Sequence, residues 1–474
     1  MTVMISFGLF LLAFAAVGAA AVVKKKTEVD DYLVAGRGVH PVLTALSSVA
    51  TNFSGYMFMG LIGFTYMFGL SALWLTLGWT VGDYMVWRFV HERVRRRSEA
   101  VGAVTVPALL GHDGNKSDHR LVKAAGLLTL VFLSVYGAAQ LSAGSKALTV
   151  FFGWDHAVGA VLGAIVVLVY CFSGGIRASI WTDAVQAVVM IAAMILMLGY
   201  AVADVGGPAM LYGKLAAMDP ALVDIVPDDL ALGFGLYFLG WIAGGFGAVG
   251  APHVLVRSMA IRDPSEIRRA RRVYFAGYIP FSIAAVAVAL YARVLIPDTA
   301  AFDPELAMPT LAGQLLPEVL VGIILAGIFA STMSTADSLI LSCSAALTQD
   351  IAPRLGKGYI FAKAGTLFIT IACLAIALWG PSSVLELVFI AWSGLAASLG
   401  PILLLRLYDV EVGGKTALLQ MVVGLTTVIV WREVGLGASV FEILPGIAAS
   451  FAVFGLSRLV GWVTGAAFES AEVA

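Results

Sequence analysis

The sequence predicts an all-α polytopic membrane protein. Three observations carry that prediction. Of the residues, 60% are hydrophobic and only 12% charged, where an average soluble domain has about a quarter charged. Thirteen apolar runs are long enough to cross a bilayer, at roughly 20 residues each. The basic residues between them gather in alternate loops.

The first run, 3–23, has no basic residue before it and Lys24, Lys25 and Lys26 directly after it. A cleavable signal has the opposite charge order, so this is a retained helix with its N-terminus outside. Further runs fall at 41–64, 67–90, 124–151, 156–173, 178–203, 231–256, 273–296, 313–346, 363–380, 384–405, 416–433 and 440–462. With this count the loops near 24–40, 91–123, 174–177, 257–272, 347–362 and 406–415 face the cytoplasm, as does the C-terminus. They hold Arg37, Arg93, Arg95, Arg177, the stretch Arg257–Arg272, Arg354, Lys357, Arg406 and Lys415. The opposite side has Lys146, Lys214, Arg293 and Arg432 with acidic stretches such as Asp219 and Asp228-Asp229. A miscounted helix would reverse half of these loops, so the positive-inside pattern supports thirteen spans.

Several function classes are excluded. No loop is long enough to fold as a separate catalytic domain, and no GxxxxGK[ST] pattern provides for nucleotide hydrolysis. Neither HExxH nor clustered histidines support an intramembrane enzyme. A net charge of −1 gives no general affinity for nucleic acid, and the basic run 257–272 reads as a cytoplasmic membrane loop. Cys171, Cys343 and Cys373 lie in apolar segments without CxxC spacing and read as packing residues. No obligate protein partner is evident. The expected setting is the cell (inner or plasma) membrane.

Two runs are interrupted. The second contains Ala50-Thr51-Asn52-Phe53-Ser54-Gly55-Tyr56; the seventh contains Gly244, Gly245, Phe246, Gly247 and Gly250 before Pro252. Clustered glycines before a proline weaken a helix through backbone entropy and a missing amide, and polar side chains beside Gly55 offer the backbone other hydrogen bonds. Interruptions five spans apart point to a midplane site between inverted repeats. The repeats would be 41–203 and 231–405, with 3–23 as an extra N-terminal helix and 416–462 as two extra C-terminal helices.

The ninth run carries a stripe of hydroxyls, Ser331, Ser334, Thr335, Ser338 and Ser342, at helical spacing, together with Asp337. Oxygens on one face inside hydrocarbon need partners, cavity water or a cation. Packing between helices is the plain alternative. Carbonyls freed near Ala50 and Phe53, set against Ser334 and Thr335, make a neutral hard-oxygen set suited to Na⁺. Ser342, Ser344 and Thr348 would line an exit or pack.

Four motifs carry a family resemblance: Asp31-Tyr32-Leu33…Gly36-Arg37, Gly174-Gly175-Ile176-Arg177…Trp181-Thr182-Asp183, Pro252-His253…Arg257, and Met333-Ser334-Thr335. With these the chain resembles the sodium:solute symporter family, closest to its sodium/proline symporters. The resemblance implies a LeuT-type fold of five plus five inverted repeats and Na⁺-coupled import of a small organic solute, with Na⁺ as coupling ion and no other cofactor. It implies a Na⁺ site from the carbonyls of Ala50, Phe53 and Ser331 and the hydroxyls of Ser334 and Thr335. Asp183 and Ser338, with Asp337, match a second cation position or charge balance. The solute pocket it implies comprises Asn52, Ser54, Gly55, Tyr56, Tyr136, Gln140, Trp241, Gly245 and Phe246.

Two departures bear on the solute. Proline carriers have Asp where this chain has Asn52 and Trp where it has Tyr56, and the Trp241-to-Pro252 interval is longer here. The expectation is that Asp337 replaces the carboxylate missing at Asn52. The solute expected is proline or a related amino acid. The alternatives are a short-chain organic acid or other solute, H⁺ in place of Na⁺, or a sensor of the same fold acting through a separate partner.

Overall fold

A computed structural model of the protein describes residues 1–22, 29–113, 116–227, 230–297, 302–353 and 359–464. Lys24–Lys26, Asp228-Asp229, Arg354 and Lys357, used above to orient the loops, lie outside the described residues. The chain forms long helices: α1 (Thr2–Val22), α2 (Pro41–Gly55), α3 (Leu61–Phe68), α4 (Leu73–Phe89), α5 (His119–Phe152), α6 (His156–Val205), α7 (Gly233–Phe246), α8 (Pro252–Ala260), α9 (Ile267–Leu295), α10 (Glu318–Ala345), α11 (Tyr359–Trp379), α12 (Val384–Leu407), α13 (Gly414–Glu433) and α14 (Ile443–Thr464). Among the described residues, ten helical stretches are long and apolar enough to cross a membrane. One of them, Pro41–Ala100, contains two of the expected runs, and the shorter apolar helices His156–Val169 and Lys363–Trp379 coincide with two more.

Burial orders these helices from centre to rim. The most apolar windows of α10 and α12 are 83% buried, those of α1 and α14 only 17%. The hydroxyl-bearing α10 is thus central, packed on α2, α5, α6 and α11, while the rim helices turn leucines and valines outward, as a lipid-facing surface requires.

Both expected interruptions are present. Helix α2 starts on Pro41, with the His40 ring accepting the Val42 N–H at 3.3 Å. It breaks at Ser54 (φ 8°, ψ 173°) and continues through a wide turn, Tyr56–Gly60, into α3. Helix α7 ends at Phe246; a tight turn, Gly247–Gly250, and extended Ala251 (φ −99°, ψ 97°) lead to Pro252 at the first position of α8. A third break, in α6, stands at Gly175 (φ +60°), where a Cβ would lie 2.6 Å from Tyr32. Only glycine fits there.

Some boundaries differ from the expectation. Arg257, read as the start of a cytoplasmic loop, is buried within α8, because the chain resumes a helix after the Pro252 break and the guanidinium finds a carboxylate inside. Helix α9 begins at Ile267, not 273, and residues 307–315 form a separate short helix before α10. The loop 91–123 folds into two short helices and a two-residue antiparallel ladder pairing His112 with Ser117, a local exception to the all-helical chain.

Candidate ion and solute site

The break in α2 faces the middle of α10. Ser334 Oγ donates to the Ala50 carbonyl at 3.1 Å and to the Ser331 carbonyl at 3.2 Å. Thr335 Oγ1 donates to the Thr51 carbonyl at 2.9 Å and to the Ser331 carbonyl at 3.0 Å. Five neutral oxygens, from Ala50, Thr51, Ser331, Ser334 and Thr335, therefore converge, all in buried residues. Thr51 was missed by the sequence reading. Phe53, expected in this set, stacks its ring on Phe281 with centroids 3.7 Å apart; the carbonyl that Thr335 meets is that of Thr51.

A charged network lies one turn along α10. Arg257 Nη2 donates to Asp183 Oδ2 at 2.9 Å and also to Ser338 Oγ. Asp183 accepts from Ser47 at 2.7 Å and Ser179 at 3.4 Å. Asp337 accepts from Ser338 at 2.9 Å and from Ser179 at 3.1 Å. Asp183, Ser338 and Asp337 thus lie in one network, with three residues the sequence reading did not assign to the site: Arg257, Ser47 and Ser179. Among the described residues Asp337 makes no hydrogen bond to Asn52. Asn52 Nδ2 instead donates to the Tyr274 hydroxyl at 2.5 Å, and Tyr274 donates to Asp83 Oδ2 at 2.7 Å. Asp337 is held by its own serines, so the carboxylate linked to Asn52 is Asp83.

Toward the other end of the α2 break, the Gly55 N–H donates to Gln140 Oε1 at 2.7 Å and Tyr136 donates to Ser54 Oγ at 3.1 Å. Tyr56 Oη, Gln140 Nε2, Trp241 Nε1 and both ring nitrogens of His253 are buried without hydrogen-bond partners. His253, 5.5 Å from the Tyr136 ring, was also missed, although it adjoins the Pro252 break. Above them, Trp241 stacks on Phe441 at 4.9 Å and Tyr56 on Trp79 at 5.7 Å. Gly245 does not line this space. A Cβ there would fall 1.9 Å from the Trp79 carbonyl, so its role is to let α7 touch α4. Half-buried Phe246 follows it at the end of α7. At the opposite end a small cavity of about 30 Å³ is lined by Tyr32, Thr105, Pro107, Pro252 and Ser342, whereas Ser344 and Thr348 pack, Thr348 donating to the Ser344 carbonyl at 2.8 Å.

The model of the sodium:solute symporter family matches residues 32–424. The chain belongs to this family. The symporter is 32% identical to the osmoregulated proline transporter OpuE of Bacillus subtilis (strain 168), over 94% of this chain and 92% of that protein. It is 33% identical to a sodium/proline symporter of Staphylococcus aureus, over 90% of this chain and 86% of that one. Its fold is similar to that of a Na⁺-coupled sialic acid symporter solved in a substrate-bound outward-open state, with a TM-score of 0.81, 19% identity, and coverage of 96% of this chain and 98% of that one. The symporter is a multi-pass plasma-membrane transporter, not an enzyme.

Proposed function

We propose that the symporter imports proline or a closely related amino acid, driven by a Na⁺ gradient. The observation that carries this reading is the full-length similarity to proline transporters, combined with five neutral oxygens converging where the α2 break meets α10. Such an oxygen set suits Na⁺ and suits transition metals poorly. Na⁺ would be held by Ala50, Thr51, Ser331, Ser334 and Thr335, with the Phe53 carbonyl next along the break. An ion there ties α2 to α10, and by linkage it tightens solute binding in the state it favours.

The solute would lie beside Ser54, Gly55, Tyr56, Tyr136, Gln140 and Trp241, with His253 added. The buried unpaired polar atoms of Tyr56, Gln140 and His253 support this placement. Arg257 already supplies a positive charge to Asp183 and Ser338, which supports one coupling Na⁺ rather than two. Thirteen spans, an external N-terminus and two inverted repeats, 41–203 and 231–405, complete the reading, and rocking of one set of helices around the midplane site would give alternating access.

The test is uptake of radiolabelled proline by purified protein in liposomes. Accumulation that requires an inward Na⁺ gradient supports the reading; accumulation driven equally by a proton gradient without Na⁺ overturns the choice of coupling ion. Asn52 and Tyr56 stand where proline carriers have Asp and Trp, so competition by other amino acids and short-chain acids belongs in the same assay.

A further inference from the structure

We propose that Asp83 is a proton-binding site of this carrier, and that Tyr274 and Asn52 transmit its charge to the break in α2. The proposal rests on the Na⁺-coupled reading above and adds a second ligand, the proton. Asp83 lies in α4 and is 2% exposed. Its Oδ2 accepts from Tyr274 at 2.7 Å, and its Oδ1 is buried without a partner. Among the described residues it makes no ion pair. A carboxylate inside a membrane-spanning helix, with one oxygen unpaired and no cation, is expensive to keep there as a bystander and marks an ion or proton path.

The surroundings single out the proton. From α9, Tyr274 and Tyr278 face Asp83. The part of α7 packed along α4, Trp241–Phe246, and the turn Gly247–Gly250 contain no ionisable residue. His91, two turns on, stacks on Trp87 and is bonded to Ser258. Arg271 lies over the exposed Tyr84 ring. A metal cation would meet one carboxylate oxygen and tyrosines, too few ligands for a site; a proton needs only Oδ1.

The hydrogen-bond chain has a direction, and a proton can reverse it. With Asp83 ionised, the Tyr274 O–H is committed to Oδ2, so the phenol oxygen accepts from Asn52 Nδ2, the arrangement present here. When a solvent proton forms an O–H bond at Oδ1, the negative charge is neutralised (−1 to 0) and Oδ2 becomes the weaker acceptor. Tyr274 is then free to donate to the amide oxygen of Asn52. Asn52 adjoins Thr51, whose carbonyl receives Thr335, and lies two residues before the break at Ser54. Protonation at α4 thus alters how firmly the ion-site segment of α2 is held.

The experiment is a Na⁺ titration of the purified full-length protein, read by thermal stability without any solute, from mildly acidic to mildly alkaline pH. Linkage predicts that Na⁺ affinity rises with pH by roughly 5- to 150-fold in all. Asp83→Asn should remove the dependence. Tyr274→Phe keeps the carboxylate but removes the hydroxyl through which both bonds run, and should flatten the dependence as well. Wild-type pH dependence persisting in Asp83→Asn overturns the proposal; if that variant does not fold, wild-type pH dependence persisting in Tyr274→Phe overturns it. A wild-type Na⁺ affinity that does not vary with pH also overturns it. Absence of Na⁺ binding at every pH overturns the Na⁺ reading itself, a result distinct from the others.

Discussion

Arg257 and Asp183 form an ion pair in which neither side chain is exposed to solvent. The pair joins α8 to α6, and Ser338 brings α10 into the same network. Asp183 pairs with this guanidinium directly and Asp337 reaches it only through Ser338, so removing the guanidinium strands Asp183.

Arg257→Met should therefore destabilise the protein by about 3–5 kcal/mol, the range for breaking one side of a buried pair. Arg257→Met combined with Asp183→Leu should recover much of that loss, since an apolar pair leaves no orphan charge at that contact. Thermal unfolding of the purified variants checks the ordering; a double variant no more stable than the single one would contradict it.

Ser334→Ala and Thr335→Ala each remove an oxygen from the convergent set. An interaction with a charged group contributes about 1.5–3 kcal/mol, so the Na⁺ concentration for half-maximal uptake should rise roughly tenfold to a hundredfold. Ser342→Ala, at the cavity two turns away, should leave that concentration within about twofold on the same scale. Equal effects at all three positions would remove Ser334 and Thr335 from the ion site.

Glu305 couples the N-terminus of α12 to Lys146 of α5. It accepts the Val384 and Leu385 N–H groups at 3.0 and 2.9 Å, at the N-terminus of α12, and pairs with Lys146 at 2.7 Å. An anion at a helix N-terminus is stabilising, and Glu305→Gln should cost about 1–3 kcal/mol. A cysteine placed at Tyr56 should also react faster with a membrane-impermeant thiol reagent once Lys146→Gln loosens the same contact. An unchanged labelling rate would show that the contact does not control access.

Gly245→Ala should fail for a steric reason. Its methyl would lie 1.9 Å from the Trp79 carbonyl, a backbone atom that cannot rotate away. Overpacking costs about 1–3 kcal/mol where side chains can adjust, and more is expected here. Gel filtration of the variant in detergent should show loss of the monodisperse peak.

Some of this site was legible in the sequence, because hydroxyls at helical spacing in an otherwise apolar run have few inexpensive explanations. The breaks were legible for a similar reason: Ser54-Gly55 and the glycines before Pro252 disfavour a continuous helix. What stayed hidden depends on partners far apart in the chain. Arg257 follows an apolar run and precedes five further arginines, so charge patterning assigns it to a loop; only the turn back into α8 sets it against Asp183. Asp83 is a lone acid between Gly82 and Tyr84, and nothing local announces Tyr274, which lies 191 residues away. Gly245 entered the expected pocket through the family resemblance, but its missing side chain admits a neighbouring backbone.

That close approach has a further consequence. At Gly78 a Cβ would come within 2.6 Å of the Trp241 side chain, and at Gly82 within 2.0 Å of the Ile242 carbonyl. Helices α4 and α7 meet main chain to main chain along this seam, leaving no side-chain layer that could shear. Trp79 and Trp241 stand on the two sides of this seam, so changing their separation would require the two backbones to part. At the proposed solute site, such a pair would act as a fixed calliper, and discrimination by girth would need no closing motion.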